Sequence, residues 1–279
     1  APPLFLTAST TPFSMHYLHL GDRQIHYVID QPSSLPTTEA PLPFQHWQWD
    51  IHRDQPIPLL LQQVADLVPR SAYTPLHVVV NGTATLIPMA DFDEAHCEAH
   101  LNTVLPQGAE SPSRRAFYDV LPASNALLVF SLSENICSTF ERLWSSVYYV
   151  SAQTGILRRF AARQEHPHEQ RCFVHLRPQA IDVACFQGQQ LLGYNTFDAT
   201  QTADVIYYAC QLATTLGCPP ATTPFFLCGA SSLCEALAQQ LSEYVKHIEV
   251  ANTPDEFAHH PLTTLPQLPF EFITHLLSV

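Results

Sequence analysis

The chain has 279 residues, 46% of them hydrophobic, and a formal net charge of -13 from 12 basic and 25 acidic side chains. That length and apolar content give a buried core without staples and exclude a disordered chain. The acidic balance repels polyphosphate and excludes nucleic acid as a partner class. The one lysine, Lys246, has no flanking glycine, so a phosphate-gripping lysine in a Gly-rich loop is absent.

Leu4–Ser9, Met15–Leu20 and Gln24–Asp30 read as three strands, with Gly21-Asp22 as a hairpin turn. Residues 31–58 hold six prolines and predict an extended loop, in which Trp47 and Trp49 anchor to the core. A helix follows over Pro58–Val68, then strands at Leu76–Val80 and Thr85–Met89, and a helix over Asp91–Leu105. Strands at Ala116–Val120 and Leu127–Leu132, a helix over Glu134–Trp144, a strand at Val147–Val150 and a helix capped by Ser151 complete the first half.

His166-Pro167-His168 reads as a linker, after which the pattern restarts. Strands are expected at Cys172–Leu176, Ile181–Phe186 and Gln190–Thr196, then a helix over Ala203–Leu216 ended by Gly217. A buried strand at Phe225–Leu227, a helix over Ser231–Lys246, a strand at Ile248–Val250 and a closing helix at Phe270–Leu277 follow. Three strands followed by alternating helices and strands, twice over, predict α/β halves with mixed sheets covered on both faces. The boundaries expected are 1–165, with the Pro-rich insertion 31–58, and 166–279.

That duplicated plan is the ribonuclease-H-like arrangement of the actin, sugar kinase and heat-shock ATPase superfamily. Leu191–Phe197, Asp204–Tyr208, Phe226–Gly229, Leu241 and Tyr244 resemble a bacterial domain-of-unknown-function family with an actin-like ATPase fold. The resemblance covers about residues 170–250 and supplies no established activity. It implies ATP held between the halves by two β-hairpin loops, one opening each half, with glycines and an acidic residue that serve phosphate and Mg²⁺. A third, glycine-bearing strand-to-helix turn covers the adenosine.

The first such loop is expected at Ser9–Phe13, where Thr10 and Thr11 offer hydroxyls but no glycine or acid stands. The second is expected at Arg177-Pro178-Gln179, again without glycine, with Asp182 offset in the next strand. Gly229, Ala230, Ser231 and Ser232 match the adenosine turn, which any tight strand-to-helix connection also favours.

His96 and His100 share a predicted helix face but have no second ligand pair, so no metal is expected. Gly229-Ala230-Ser231 lacks the trailing glycine of a nucleophile elbow. Glu134 and Glu141 read as a solvated face, and Arg158, Arg159 and Arg163 as ordinary surface balance. The eight cysteines lie mostly in apolar runs and read as reduced, buried thiols. With no signal-peptide pattern and no apolar stretch near 18 residues, a cytoplasmic protein without membrane insertion is expected.

These features predict a non-catalytic scaffold or protein-interaction module with a degenerate nucleotide site, no cofactor and an unknown protein partner. One alternative is an ATP-binding protein or slow ATPase using Mg²⁺, with Gly229, Ser231 and Asp182 as the residues involved; a third, weaker one is a metal-dependent enzyme through His96 and His100.

Overall fold

The computed structural model describes residues 14–30, 44–70, 74–102, 113–163 and 166–278. The elements of the first half are β1 (Met15–Leu20), β2 (Gln24–Asp30), β3 (Phe44–Asp50), α1 (Ile57–Leu67), β4 (Pro75–Val80), β5 (Ala84–Pro88), α2 (Cys97–Asn102), β6 (Arg114–Leu121), β7 (Ala126–Ser133), α3 (Glu134–Leu143), β8 (Ser146–Ser151) and α4 (Ala152–Ala162). Then come β9 (Gln170–Leu176), β10 (Ala180–Gln187), β11 (Gln190–Asp198), α5 (Thr202–Thr215), β12 (Phe225–Gly229), α6 (Ser231–Leu241), β13 (Ile248–Val250), α7 (Thr253–Glu256) and α8 (Phe270–Leu276).

Two five-stranded sheets share one plan. Their strand orders are β3-β2-β1-β4-β8 and β11-β10-β9-β12-β13. In each, three strands run antiparallel as a meander and two more add in parallel beside the first. Parallel additions need crossover helices, which α1, α3, α5 and α6 supply on the sheet faces. Between β4 and β8 the first half carries a small third sheet, ordered β5-β7-β6.

The central strands are buried on both faces, so they read as near-continuous apolar runs. Val78 and Val79 of β4, and Val174 and Val183 of β9 and β10, are fully covered. One cluster lies between the two large sheets and draws on both halves. It includes Val79, Phe130, Ile156, Phe160, Phe173, Phe226 and Phe272. At its centre Phe160 of α4 stacks on Phe173 of β9, with ring centroids 4.3 Å apart. Helices α4 and α8 are buried almost all round, as expected of helices sandwiched between layers.

Three sequence expectations need correction. The proline-rich loop 31–58 contains strand β3, because residues 44–50 themselves hold no proline and Trp47 and Trp49, two residues apart, share its core face. Trp47 and Trp49 pack from β3 against the first-half core, and Trp47 meets Tyr27 edge-on at 6.2 Å. The helix expected over 91–105 breaks into 3-10 turns at Met89–Asp91 and Glu94–His96 before α2, with Asp93 accepting from the Ala95 N–H and His96 at the break. The helix from Ser231 ends at Leu241, whose carbonyl accepts from both Tyr244 and Val245 in a closing turn. The strand expected at Leu4–Ser9 and the rest of the loop at 31–43 lie outside the described residues.

Candidate functional site

In both large sheets the first two strands are joined by a three-residue hairpin. In the second half this is Arg177-Pro178-Gln179, as the sequence predicts. In the first half the equivalent turn is Gly21-Asp22-Arg23, between β1 and β2. The loop expected at Ser9–Phe13 is therefore displaced by one hairpin. The equivalent position does hold a glycine and an acid, Gly21 and Asp22. Thr10 and Thr11 lie outside the described residues.

The two hairpins face each other across a cleft of about 470 Å³ between the halves. Gly229, Ala230 and Ser231 line it together with Asn81, and the segment from Thr263 to Ile273 covers it. Ser232 stands exposed in the first turn of α6 and is not among the lining residues. Gly229 has a structural reason of its own. Its φ is +117°, and a Cβ there would lie 2.1 Å from the Leu176 carbonyl oxygen of the paired strand.

A buried chain of polar contacts spans the cleft. Arg177 Nη1 donates to both carboxylate oxygens of Asp22, at 2.9 and 3.1 Å, tying hairpin to hairpin. Its Nε donates to Asp182 Oδ2 at 3.0 Å. Asp182 also accepts from Tyr194 and Thr196, and Oδ2 meets His175 Nδ1 at 3.0 Å. The far nitrogen of His175 reaches Glu271 Oε2 at 3.2 Å, and Glu271 Oε1 accepts from Asn81 Nδ2 at 3.2 Å. Asn81 Oδ1 in turn accepts from His19 Nε2 at 3.1 Å.

Burial alone would push Asp182 up, but the Arg177 guanidinium and the His175 hydrogen bond hold it well below the usual carboxylate range. Burial would likewise raise Glu271, and His175 holds it well below its ordinary value. For His175 burial works downward, yet its bonds to Asp182 and Glu271 raise it to about 9. Asp22 is raised by burial despite the opposing charge of Arg177. Asp22, Asp182 and Glu271 thus take up Arg177 and His175. Arg177, 5% exposed, is committed to two of these carboxylates. Arg23 is exposed and lines the rim.

The remaining candidate residues serve the fold. His96 pairs with Asp93 at 2.8 Å, and His100 stacks on Phe92. Among the described residues no group of three or more potential ligands is placed to hold a metal ion. Glu134 and Glu141, expected as a solvated face, both grip Arg115 of β6. Arg159 and Arg163, expected as surface balance, instead bond Glu256 and stack on Phe257 and Phe226, fastening α4 to the second half. No described helix is long and apolar enough to cross a membrane.

His19, Asn81 and Glu271 escape sequence reasoning, because their hydrogen-bond partners lie 62 to 190 residues away; His175 reaches Glu271 over 96 residues and Asp182 over seven, across the hairpin. The alternation of His175 with Val174 and Leu176 was the available signal: a histidine in a buried strand needs a partner.

A protein from Bacteroides thetaiotaomicron with an actin-like ATPase fold and unknown function is similar over 89% of this chain and 95% of its own, with a TM-score of 0.75 and 18% identity. The PilM-PilN type IV pilus biogenesis complex contains a chain similar over 94% of this one and 96% of its own, with a TM-score of 0.56 and 13% identity. Among curated proteins none matches. The first of these likenesses shows the actin-like fold, as the sequence leads one to expect. Residues 61–248 match the pattern of the family described as "Protein of unknown function (DUF3822)", and the chain, matched over more than half its length, belongs to that family.

Proposed function

We propose that this protein is a non-catalytic scaffold in which the interdomain cleft of the actin-like fold is closed by protein side chains in place of nucleotide phosphates. The bidentate bridge from Arg177 to Asp22 carries the reading. In an actin-like ATPase the two hairpins offer backbone N–H groups to an anion. Here one hairpin gives its cation to a carboxylate on the other. A triphosphate entering between them must break that bridge and face Asp22 and Glu271, both partly or fully buried. The cost of stranding a buried charge is several kcal/mol.

The similar PilM chain is found in a complex with a protein partner. That supports a protein-binding role for this chain and supplies no partner identity.

A second reading, ATP binding or slow hydrolysis, is favoured by exposed Arg23 on the first hairpin and by the start of α6 at the cleft. Phosphate release from Mg²⁺–ATP separates the two. The scaffold reading expects wild-type protein and its Arg23→Ala variant to be equally inactive. Turnover lost on Arg23→Ala overturns it.

A further inference from the structure

The second half carries a groove of about 470 Å³ between α5 and α6, which shares no lining residue with the interdomain cleft. Its floor includes Ile206 and Cys210, both half-buried. Tyr207 of α5 lines one side. Tyr244, in the turn that closes α6, lines the other. The two tyrosines are 62% and 58% exposed. Each leaves most of a large ring in water, and rings of this size dominate binding where a partner covers them.

Tyr207 is also held in place. Its ring meets that of Tyr208 edge-on at 5.4 Å, and Tyr208 stacks on Phe197 of β11 at 4.6 Å. An aromatic anchor braced in advance loses little conformational freedom when it is covered.

The groove carries one sign of charge. Neither helix holds an arginine, lysine or histidine. Asp204 of α5, Glu235 of α6 and Glu243 beside Tyr244 are all exposed, and Glu243 lines the groove itself. From residue 172 to 245 the only basic side chains are His175 and Arg177, both buried in the network of the cleft. Lys246 and His247 follow the closing turn and do not line the groove. A partner that covers the tyrosines must therefore bring cations. A wholly apolar one would strip water from Glu243 without replacing it, and a second copy of this chain, itself at net charge -13, would bring acid to acid.

Lysine and arginine meet both demands. Their stems lie along apolar surface and tyrosine faces while their charged heads stay at the carboxylates. Helix α5 has 14 residues, so it offers about 21 Å of wall, room for a partner helix of about four turns. We infer that the α5–α6 groove docks a basic amphipathic helix of a partner protein, with apolar side chains between Tyr207 and Tyr244 and lysines or arginines beside Glu243, Asp204 and Glu235. The inference rests on the scaffold reading, to which it gives a partner-binding face. Phosphate release from Mg²⁺–ATP tests that reading at the cleft and does not involve the groove, so each can fail alone.

Fluorescence anisotropy with a labelled leucine–lysine peptide as long as α5, apolar along one helix face, tests this on the full chain. Salt of about 0.15 M screens exposed charges more than about 8 Å apart, so that local pairs decide the result. Binding should saturate at one peptide per chain. The double variant Tyr207→Ala/Tyr244→Ala should bind at least about tenfold more weakly, and Glu243→Lys about tenfold more weakly. Glu98→Lys, which reverses an exposed acid of α2 in the first half, should stay within about twofold of wild type. All four side chains are exposed, so the variants keep the fold. A leucine–glutamate peptide of the same pattern should not bind. No saturable binding, equal binding of the acidic peptide, a double tyrosine variant that binds as wild type, or a loss in Glu98→Lys equal to that in Glu243→Lys overturns the inference. So does a wild-type dimer in sedimentation that the double tyrosine variant abolishes, since the groove's occupant is then a second copy.

Discussion

Asp22 and Arg177 stand 155 residues apart in the chain and meet across the cleft, each at the tip of a hairpin that occupies the same place in its own sheet. The duplicated topology explains the meeting. Two copies of one meander, packed face to face through a shared aromatic core, bring their first hairpins together. What lies between them depends on which side chains the hairpins carry. Here it is an ion pair.

Removing the guanidinium should be costly. Arg177→Ala leaves Asp182 and Asp22 without their cation in a buried site, and should lower unfolding free energy by about 3–5 kcal/mol. Asp22→Ala loses only the outer half of the network and should cost about 1.5–3 kcal/mol. Urea denaturation of the two variants beside wild type checks the order.

The network also shapes stability against pH. His175 is raised when folded, so its contribution is complete below about pH 6.5 and is lost as pH climbs through about 9. Asp182 and Glu271 are depressed, so theirs is present above about pH 4 and is lost as pH falls toward their folded values. His26 is lowered by burial, and it penalises the fold as pH falls below about 6.5. Melting temperature should therefore peak near about pH 6.5 and decline on both sides, with the decline between about pH 6.5 and 8 reduced in a folded His175→Gln variant; above that, buried thiols such as Cys137 and Cys234, pushed up by burial, keep the alkaline decline in both proteins.

Gly229 and Gly82 make a matched pair of tests. Gly229→Ala forces a Cβ to 2.1 Å from the Leu176 carbonyl at a φ of +117°, so the variant should lose more than about 3 kcal/mol. Gly82→Ala meets nothing nearer than 4.0 Å and should stay within about 1 kcal/mol of wild type. Thermal denaturation reads both. Loss of a ligand in a Gly229 variant would report damage to the strand pairing as much as to any site.

The shared core makes a claim about cooperativity. Phe160 and Phe173 belong to one cluster that includes residues of both halves. Phe160→Ala should cost about 3–5 kcal/mol and should lower one common transition, without uncoupling the halves. Calorimetry checks it: a single endotherm in both proteins is expected.

Much of this fold was legible in the chain because its second half punctuates cleanly. Gly188 and Gly217 take positive φ at turns where the apolar alternation stops. The first half misled at two places. Prolines on either side of residues 44–50 hid a strand that contains none. Counting Leu4–Ser9 as the opening strand shifted the first hairpin from Gly21–Arg23 to Ser9–Phe13. The turn itself was evident from Gly21-Asp22; its place facing the second hairpin was not. Asn81 and Glu271 gave no local signal, and His175 gave only its place in a buried strand, because a buried polar network is defined by residues that only tertiary packing brings together.

Thermal unfolding with and without millimolar Mg²⁺–ATP decides whether side chains hold the cleft in place of a nucleotide. A ligand bound only to the folded state adds about 2.7 kcal/mol at a hundred times its dissociation constant. The midpoint should be unchanged. A saturable rise with ATP that disappears in Arg23→Ala would contradict it and place the protein among the nucleotide-binding members of its fold.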